Sequence, residues 1–193
     1  MSAAPSDAIR VEEGLLPFCF RAVPAMLVEW GGARRLGPIL AEFHAERDVL
    51  LVTDAGLHRA GALEPAKRSL VQSGFRVTVF DAVIADPPES VLMACVEAAR
   101  ASGCDLVVGL GGGSSMDVAK LAAVMIGSTQ PLAEMYGIDR VVGQRVPLVQ
   151  VPTTAGTGSE ATNITILTTG ETTKMGVVSA QLYADLVLLD AEL

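Results

Sequence analysis

Three successive glycines, Gly111, Gly112 and Gly113, follow the apolar run 106–110 and precede Ser114, Asp117 and Lys120. An apolar run of this length reads as a buried strand, and the segment after the glycines reads as a helix. Glycines at such a junction let the backbone reach φ > 0 and let a ligand approach the main chain. The free N–H groups of a helix start, at the positive end of its dipole, favour a pyrophosphate. In an open α/β sheet, ligands collect at the carboxyl ends of the strands, where this loop lies. Ser114 with Asp117 three residues on is also a capping-box variant, which needs no ligand. A cap accounts for those two residues but not for three glycines, each with its entropic cost. Phosphate binding is therefore the preferred reading. The loop departs from G-x-G-x-x-G: Gly109 and Gly111 fit its first two positions, and Ser114 stands where the third glycine belongs.

Two further segments carry candidate ligand groups. The stretch 151–160 leaves a strand at Pro152 and continues as Thr153, Thr154, Ala155, Gly156, Thr157, Gly158, Ser159 and Glu160. Hydroxyls and glycines at a strand's carboxyl end supply donors with little bulk; the plainer reading is a Gly/Thr-rich turn. Residues 156–161 match G-x-G-x-x-A, a weak match because β-branched residues follow instead of a long helix. Asp54 ends an earlier apolar run. An acid there can accept hydrogen bonds from the ribose hydroxyls of NAD and repel the extra phosphate of NADP. A helix cap explains Asp54 equally well.

These loops need a scaffold, and the hydrophobic pattern supplies one. Strands are predicted at 26–29, 48–53, 76–80, 105–109 and 147–151, with helices at 34–43, 62–73, 88–101 and 114–126. In the helix at 88–101, Val91, Ala94, Cys95 and Ala98 are expected on the buried face. A β-hairpin is predicted from 161–168 and 174–179 about a turn at 169–171, and a last strand at 185–189. The alternation implies an α/β fold: a Rossmann-like open parallel sheet with helices on both faces, plus the hairpin near the C-terminus. Half of the 193 residues are hydrophobic but only 4% are aromatic, so the core is aliphatic.

The net charge of −8 argues against a nucleic-acid partner. No apolar run approaches the roughly 18 residues of a membrane span. The amino-terminal residues lack the basic and apolar regions of a signal peptide. A cytoplasmic protein is expected, with Cys19, Cys95 and Cys104 as reduced thiols and at least the last two in the core. His44 and His58 belong to no metal-ligand spacing.

The segments resemble the iron-containing (group III) alcohol dehydrogenase family. Residues 29–33 look like its F-G-x-G turn, and Asp54 sits at its V-T-D acid. Residues 111–120 match G-G-G-S-x-x-D-x-x-K, and 152–160 reproduce P-T-T-A-G-T-G-S-E unchanged. Lys174, Met175 and Gly176 resemble the basic segment after its hairpin, and 190–193 its D-P-E-L. Asp86, Pro87 and Pro88 stand where the family often has Asn-Pro, and Ala191 replaces a proline.

The resemblance implies that residues 1–193 form the family's dinucleotide-binding domain. Gly112, Gly113, Ser114 and Asp117 would hold the pyrophosphate and nearby ribose. Thr153, Thr154, Thr157 and Thr162 would line the path of the adenine and nicotinamide, and Lys174 would reach a ribose. The expected cofactor is NAD rather than NADP. Fe or Zn belongs to the full-length family enzyme, held by a helical C-terminal domain that would begin after Leu193. The resemblance thus implies no catalytic or metal residue here and no turnover by this chain alone. The implied reaction is hydride transfer between a small alcohol or carbonyl substrate and nicotinamide. The missing C-terminal domain and further copies of the chain, in a homo-oligomer, are the expected partners. Glycerol dehydrogenases, dehydroquinate synthases and maleylacetate reductases are alternatives of related fold. A nucleotide-binding module without catalysis is the alternative of another class.

Overall fold

The computed structural model describes residues 20–170 and 172–193. Cys19, Glu171 and the amino-terminal residues read above lie outside them.

Six strands form the main sheet: β1 (Met26–Val28), β2 (Asp48–Asp54), β3 (Arg76–Val83), β4 (Leu106–Gly111), β6 (Leu148–Pro152) and β9 (Leu186–Leu189). Their order is β1-β9-β6-β4-β2-β3, and every pairing is parallel. The six strands predicted outside the hairpin thus lie in one sheet. All six residues of β4 are buried, as are Val49 to Thr53 of β2. That is the signature of strands covered on both faces.

Two apolar layers provide the cover. Helices α1 (Leu36–Phe43) and α3 (Glu64–Gln72), with Leu63 at the N-cap of α3, pack Leu36, Leu40, Leu63 and Leu70 against Val49, Leu51, Val108 and Leu110. On the other face, α4 (Glu89–Ser102) and α5 (Gly113–Met125) pack Leu92, Val96, Val118 and Leu121 with Leu50, Val52 and Val107. Adjacent strand residues thus go to opposite layers, as the period of two requires.

The buried stripe of α4 differs from the expected one. It runs through Leu92, Cys95, Val96 and Ala99, while Ala94 is exposed. The spacing i, i+3, i+4, i+7 is the same, but the stripe centres on the bulkier Leu92 and Val96 rather than on two alanines. Cys95 and Cys104 are both free thiols in this core. Burial pushes the Cys95 thiol up to about 12, so it stays protonated and unreactive near neutral pH.

Three short elements were not among the predicted ones: α2 (Ala55–Arg59), α6 (Leu132–Met135) and β5 (Gly137–Ile138). The hairpin forms as β7 (Ile164–Thr169) and β8 (Thr173–Val178), antiparallel, with β5 added alongside β8. It starts later than expected because Ser159–Ala161 make a 3-10 turn. The first helical turn, Gly32–Arg35, is likewise 3-10.

At the far end of the chain, the Asp190 carboxylate accepts hydrogen bonds from Gly31 N at 2.7 Å and Ala33 N at 2.9 Å. Burial opposes its charge, but these backbone donors prevail and hold the Asp190 carboxyl below its usual pKa. The early glycine turn and the last residues are therefore one structure.

Candidate functional site

The strand order creates the site. From β2 the chain moves outward to β3, then returns to place β4 on the other side of β2. The crossovers leave in opposite directions, so a crevice opens at the carboxyl ends of β2 and β4. Asp54 ends one of these strands and Gly111 the other.

Gly111 has φ +155°, and a Cβ there would lie 2.8 Å from the Ser115 Cβ. Only glycine fits that turn. Its carbonyl accepts from Thr153 N at 3.0 Å, which ties the glycine loop to the loop after β6. Gly112 is the N-cap of α5, and no side chain caps this helix. Ser114 is its second residue, so the capping box considered above is not formed. The serine lies too far inside the helix to cap it, and Asp117 is engaged elsewhere. The N–H groups of Gly113, Ser114 and Ser115 therefore lack both an intrahelical acceptor and a side-chain cap.

Two clefts flank this helix start and share Gly113 and Ser114. One also contains Asp54, Gly56, Ile84 and Gly112. Asp54 is the N-cap of α2: its Oδ1 accepts from Gly56 N at 2.8 Å and Leu57 N at 3.0 Å. The cap reading and the placement beside the glycine loop both hold, since a carboxylate has a second oxygen.

The other cleft is lined by Asp117, Thr157, Ser159, Thr162, Asp86 and Lys174. Its wall is a hydrogen-bonded network. Asp117 Oδ1 accepts from Ser159 Oγ at 2.6 Å, and Asp117 Oδ2 from Ile166 N at 3.2 Å. Lys120 is fully buried and donates to Ser159 Oγ at 2.9 Å, Thr162 Oγ1 at 3.1 Å and Ile164 O at 2.8 Å. Burial pulls the Lys120 ammonium down to about 8, against the opposing attraction of Asp117. The same burial raises Asp117, again against Lys120. Across the cleft Lys174 donates to Asp86 Oδ1 at 2.5 Å. Asp86 adopts φ +51° and its carbonyl accepts from Thr168 Oγ1 at 2.9 Å, which fastens this turn to the hairpin.

The structure thus gathers eight of the ten residues singled out above on the two clefts. Thr153 and Thr154 line neither; Thr153 anchors the loop through its N–H, and Thr154 lies beside Gly112. Sequence reasoning missed the structural weight of Lys120 and Ser159. A lysine among Val118, Ala119, Leu121 and Ala122 was the available signal, because a charge on an apolar helix face needs partners.

The family model for iron-containing alcohol dehydrogenase matches residues 24–191. The chain belongs to that family. A sulfoacetaldehyde reductase of Bilophila wadsworthia is 39% identical over 144 residues, covering 74% of this chain and 37% of that protein. The crystal structure of a 1,3-propanediol oxidoreductase superposes with a TM-score of 0.85 at 28% identity, covering 91% of this chain and 46% of that one. A sulfoacetaldehyde reductase from Bifidobacterium kashiwanohense, solved in complex with NAD+, gives 0.81 at 28% identity, covering 92% and 47%. The chain therefore spans less than half the length of these relatives. As a member of the iron-containing alcohol dehydrogenase family it shares their Rossmann-like parallel sheet. Among the described residues no group of three or more His, Cys, Asp or Glu could hold a metal ion. The described residues therefore do not fit the family's metal. No helix among them is long and apolar enough to cross a membrane.

Proposed function

We propose that the chain is the NAD-binding domain of a metal-dependent alcohol dehydrogenase. The observation that carries this reading is the uncapped start of α5 at the switch point between β2 and β4, with a cleft on each side. The N–H groups of Gly113, Ser114 and Ser115 would receive the pyrophosphate. Asp54 would take the adenosine ribose hydroxyls. Asp117, Thr157, Thr162 and Lys174 would border the nicotinamide half, with Thr153 and Thr154 holding the glycine loop in place. NAD supplies hydride exchange with a small alcohol or carbonyl when bound. A metal, as in the family the chain belongs to, would be held by the helical C-terminal domain that the family resemblance implies, outside the described residues, and would there polarise the substrate oxygen. Self-association is proposed through β1, which pairs on one side only among the described residues; Val28 in it and Trp30 just after it are each 75% exposed.

Purified chain is expected to quench or enhance NADH fluorescence saturably at one site. It should form no NADH from NAD and small alcohols, with or without added Fe²⁺ or Zn²⁺. Absence of saturable binding would overturn the cofactor assignment, and robust turnover would overturn the division between domains.

Cofactor choice should rest on Asp54. Asp54→Ser keeps an oxygen for the α2 cap and removes the charge facing a 2′-phosphate. Like-charge contacts of this kind are worth one to several kcal/mol, so the NADP/NAD affinity ratio should rise about tenfold or more. Competition titrations with both cofactors measure it, and an unmoved ratio would leave Asp54 as a cap alone.

A further inference from the structure

We infer that Lys120 is a positioning residue for the dinucleotide: its buried ammonium pins the 159–164 segment against α5 and so fixes the shape of the cleft beside the helix start. The inference rests on the NAD-binding reading above.

The geometry is closed. An ammonium has three N–H donors. All three are used, on Ser159 Oγ, Thr162 Oγ1 and Ile164 O. Neither hydroxyl can supply a proton in return. Ser159 Oγ donates its own to Asp117 Oδ1 at 2.6 Å, and Thr162 Oγ1 donates to Ser159 O at 3.2 Å. Loss of one proton from Lys120 would leave one of the three acceptors without a donor, in a buried place where that is costly. Ser159 and Thr162 themselves line the cleft, as does Asp117 one helical turn away. The charged groups facing Lys120 are Asp117 from α5 and Glu160 from the 3-10 turn. Strand β7 presents only the Ile164 carbonyl to it. Asp86 and Lys174, on the opposite wall, pair with each other.

Charge on Lys120 should therefore be coupled to the bound anion. A ligand that favours the ammonium raises its pKa, and by linkage a proton on Lys120 tightens the ligand. Since the amine titrates near 8 in the free protein, the coupling falls in an accessible range. Global stability runs the other way. The folded value is lowered, so the unfolded chain binds more protons above pH 8, and this group favours folding increasingly as pH rises towards its ordinary value. Weaker binding in that window would not be a consequence of the Lys120 titration loosening the whole fold.

The test is an NADH fluorescence titration of the chain at pH 6.5 to 9.5, with thermal melts at each pH. The dissociation constant should be level below about pH 7.5 and rise roughly fivefold or more by pH 9, the lower end of usual coupling strengths. In Lys120→Met the binding should be weak and the break near pH 8 absent. A level profile for the unmodified chain overturns the inference whether or not the variant folds. A folded Lys120→Met that binds NADH as the unmodified chain does, or keeps the same break, overturns it too. Binding with a level profile leaves the cofactor reading standing, whereas no NADH binding at any pH removes both.

Discussion

Gly113→Val is expected to weaken NADH binding by about 100-fold, a loss near 2.7 kcal/mol, while the chain stays folded. Gly113 opens α5, and its φ is not among the positive ones, so the backbone tolerates a side chain. A Cβ would first meet Thr157 Cγ2 at 3.2 Å. Thr157 is exposed on its loop and can yield. The two methyls of valine reach further, into the space that both clefts share above the free N–H groups. They would displace the anion from the donors that recognise it. Gly113→Ala, with the Cβ alone, should lie between. Fluorescence titration reads the affinity, and a thermal melt shows that the helix start survives. Affinity unchanged in a folded valine variant would remove the pyrophosphate from this loop.

The places of the main strands along the chain and the position of this loop were legible because central parallel strands are apolar throughout, whereas the order β1-β9-β6-β4-β2-β3 was not. Runs such as 106–110 and 48–53 cannot be confused with amphipathic surface segments, and glycines or acids mark where they end. The short elements were not legible. Helix α2 has five residues and no buried one, so no apolar periodicity announces it; only its cap Asp54 carries a signal, and that residue had another explanation. Strand β5 has two residues and exists because β8 offers an edge to pair with. The tertiary network hid in the same way. Ser114 and Asp117 have the spacing of a capping box, yet Asp117 bonds Ser159 and Ile166, more than 40 positions away. A local motif can be read from local spacing, but whether the fold uses it depends on partners that only the packing supplies. Lys174 shows the same limit. It does reach the cleft, but it is held there by Asp86, the residue at which the sequence departs from the family pattern.

Gly37→Ala should lower the melting temperature by roughly 6–12 °C, which corresponds to about 3 kcal/mol for a chain of this size. Helix propensity alone predicts the opposite, since alanine in place of glycine stabilises a helix by about 1 kcal/mol. The decisive contact is between helices. Gly37 lies buried in α1, where its N–H donates to Ser69 Oγ of α3 at 3.0 Å. A Cβ at this position would sit 2.1 Å from the Ser69 carbonyl oxygen and 2.5 Å from Ser73 Oγ. Ser73 can rotate, but the Ser69 carbonyl is backbone within a helix and cannot. The helices would have to separate, which opens the layer formed by Leu36, Leu40, Leu63 and Leu70. Overpacking of this kind usually costs about 1–3 kcal/mol, and the upper end applies where the obstacle is main chain. The damage falls on the face of the sheet opposite α5, so NADH affinity of the folded fraction should change less than twofold. Circular dichroism melts and the same fluorescence titration check the two halves of this expectation. An alanine variant as stable as the parent, or more so, would show that α1 and α3 are not packed against each other as closely as this.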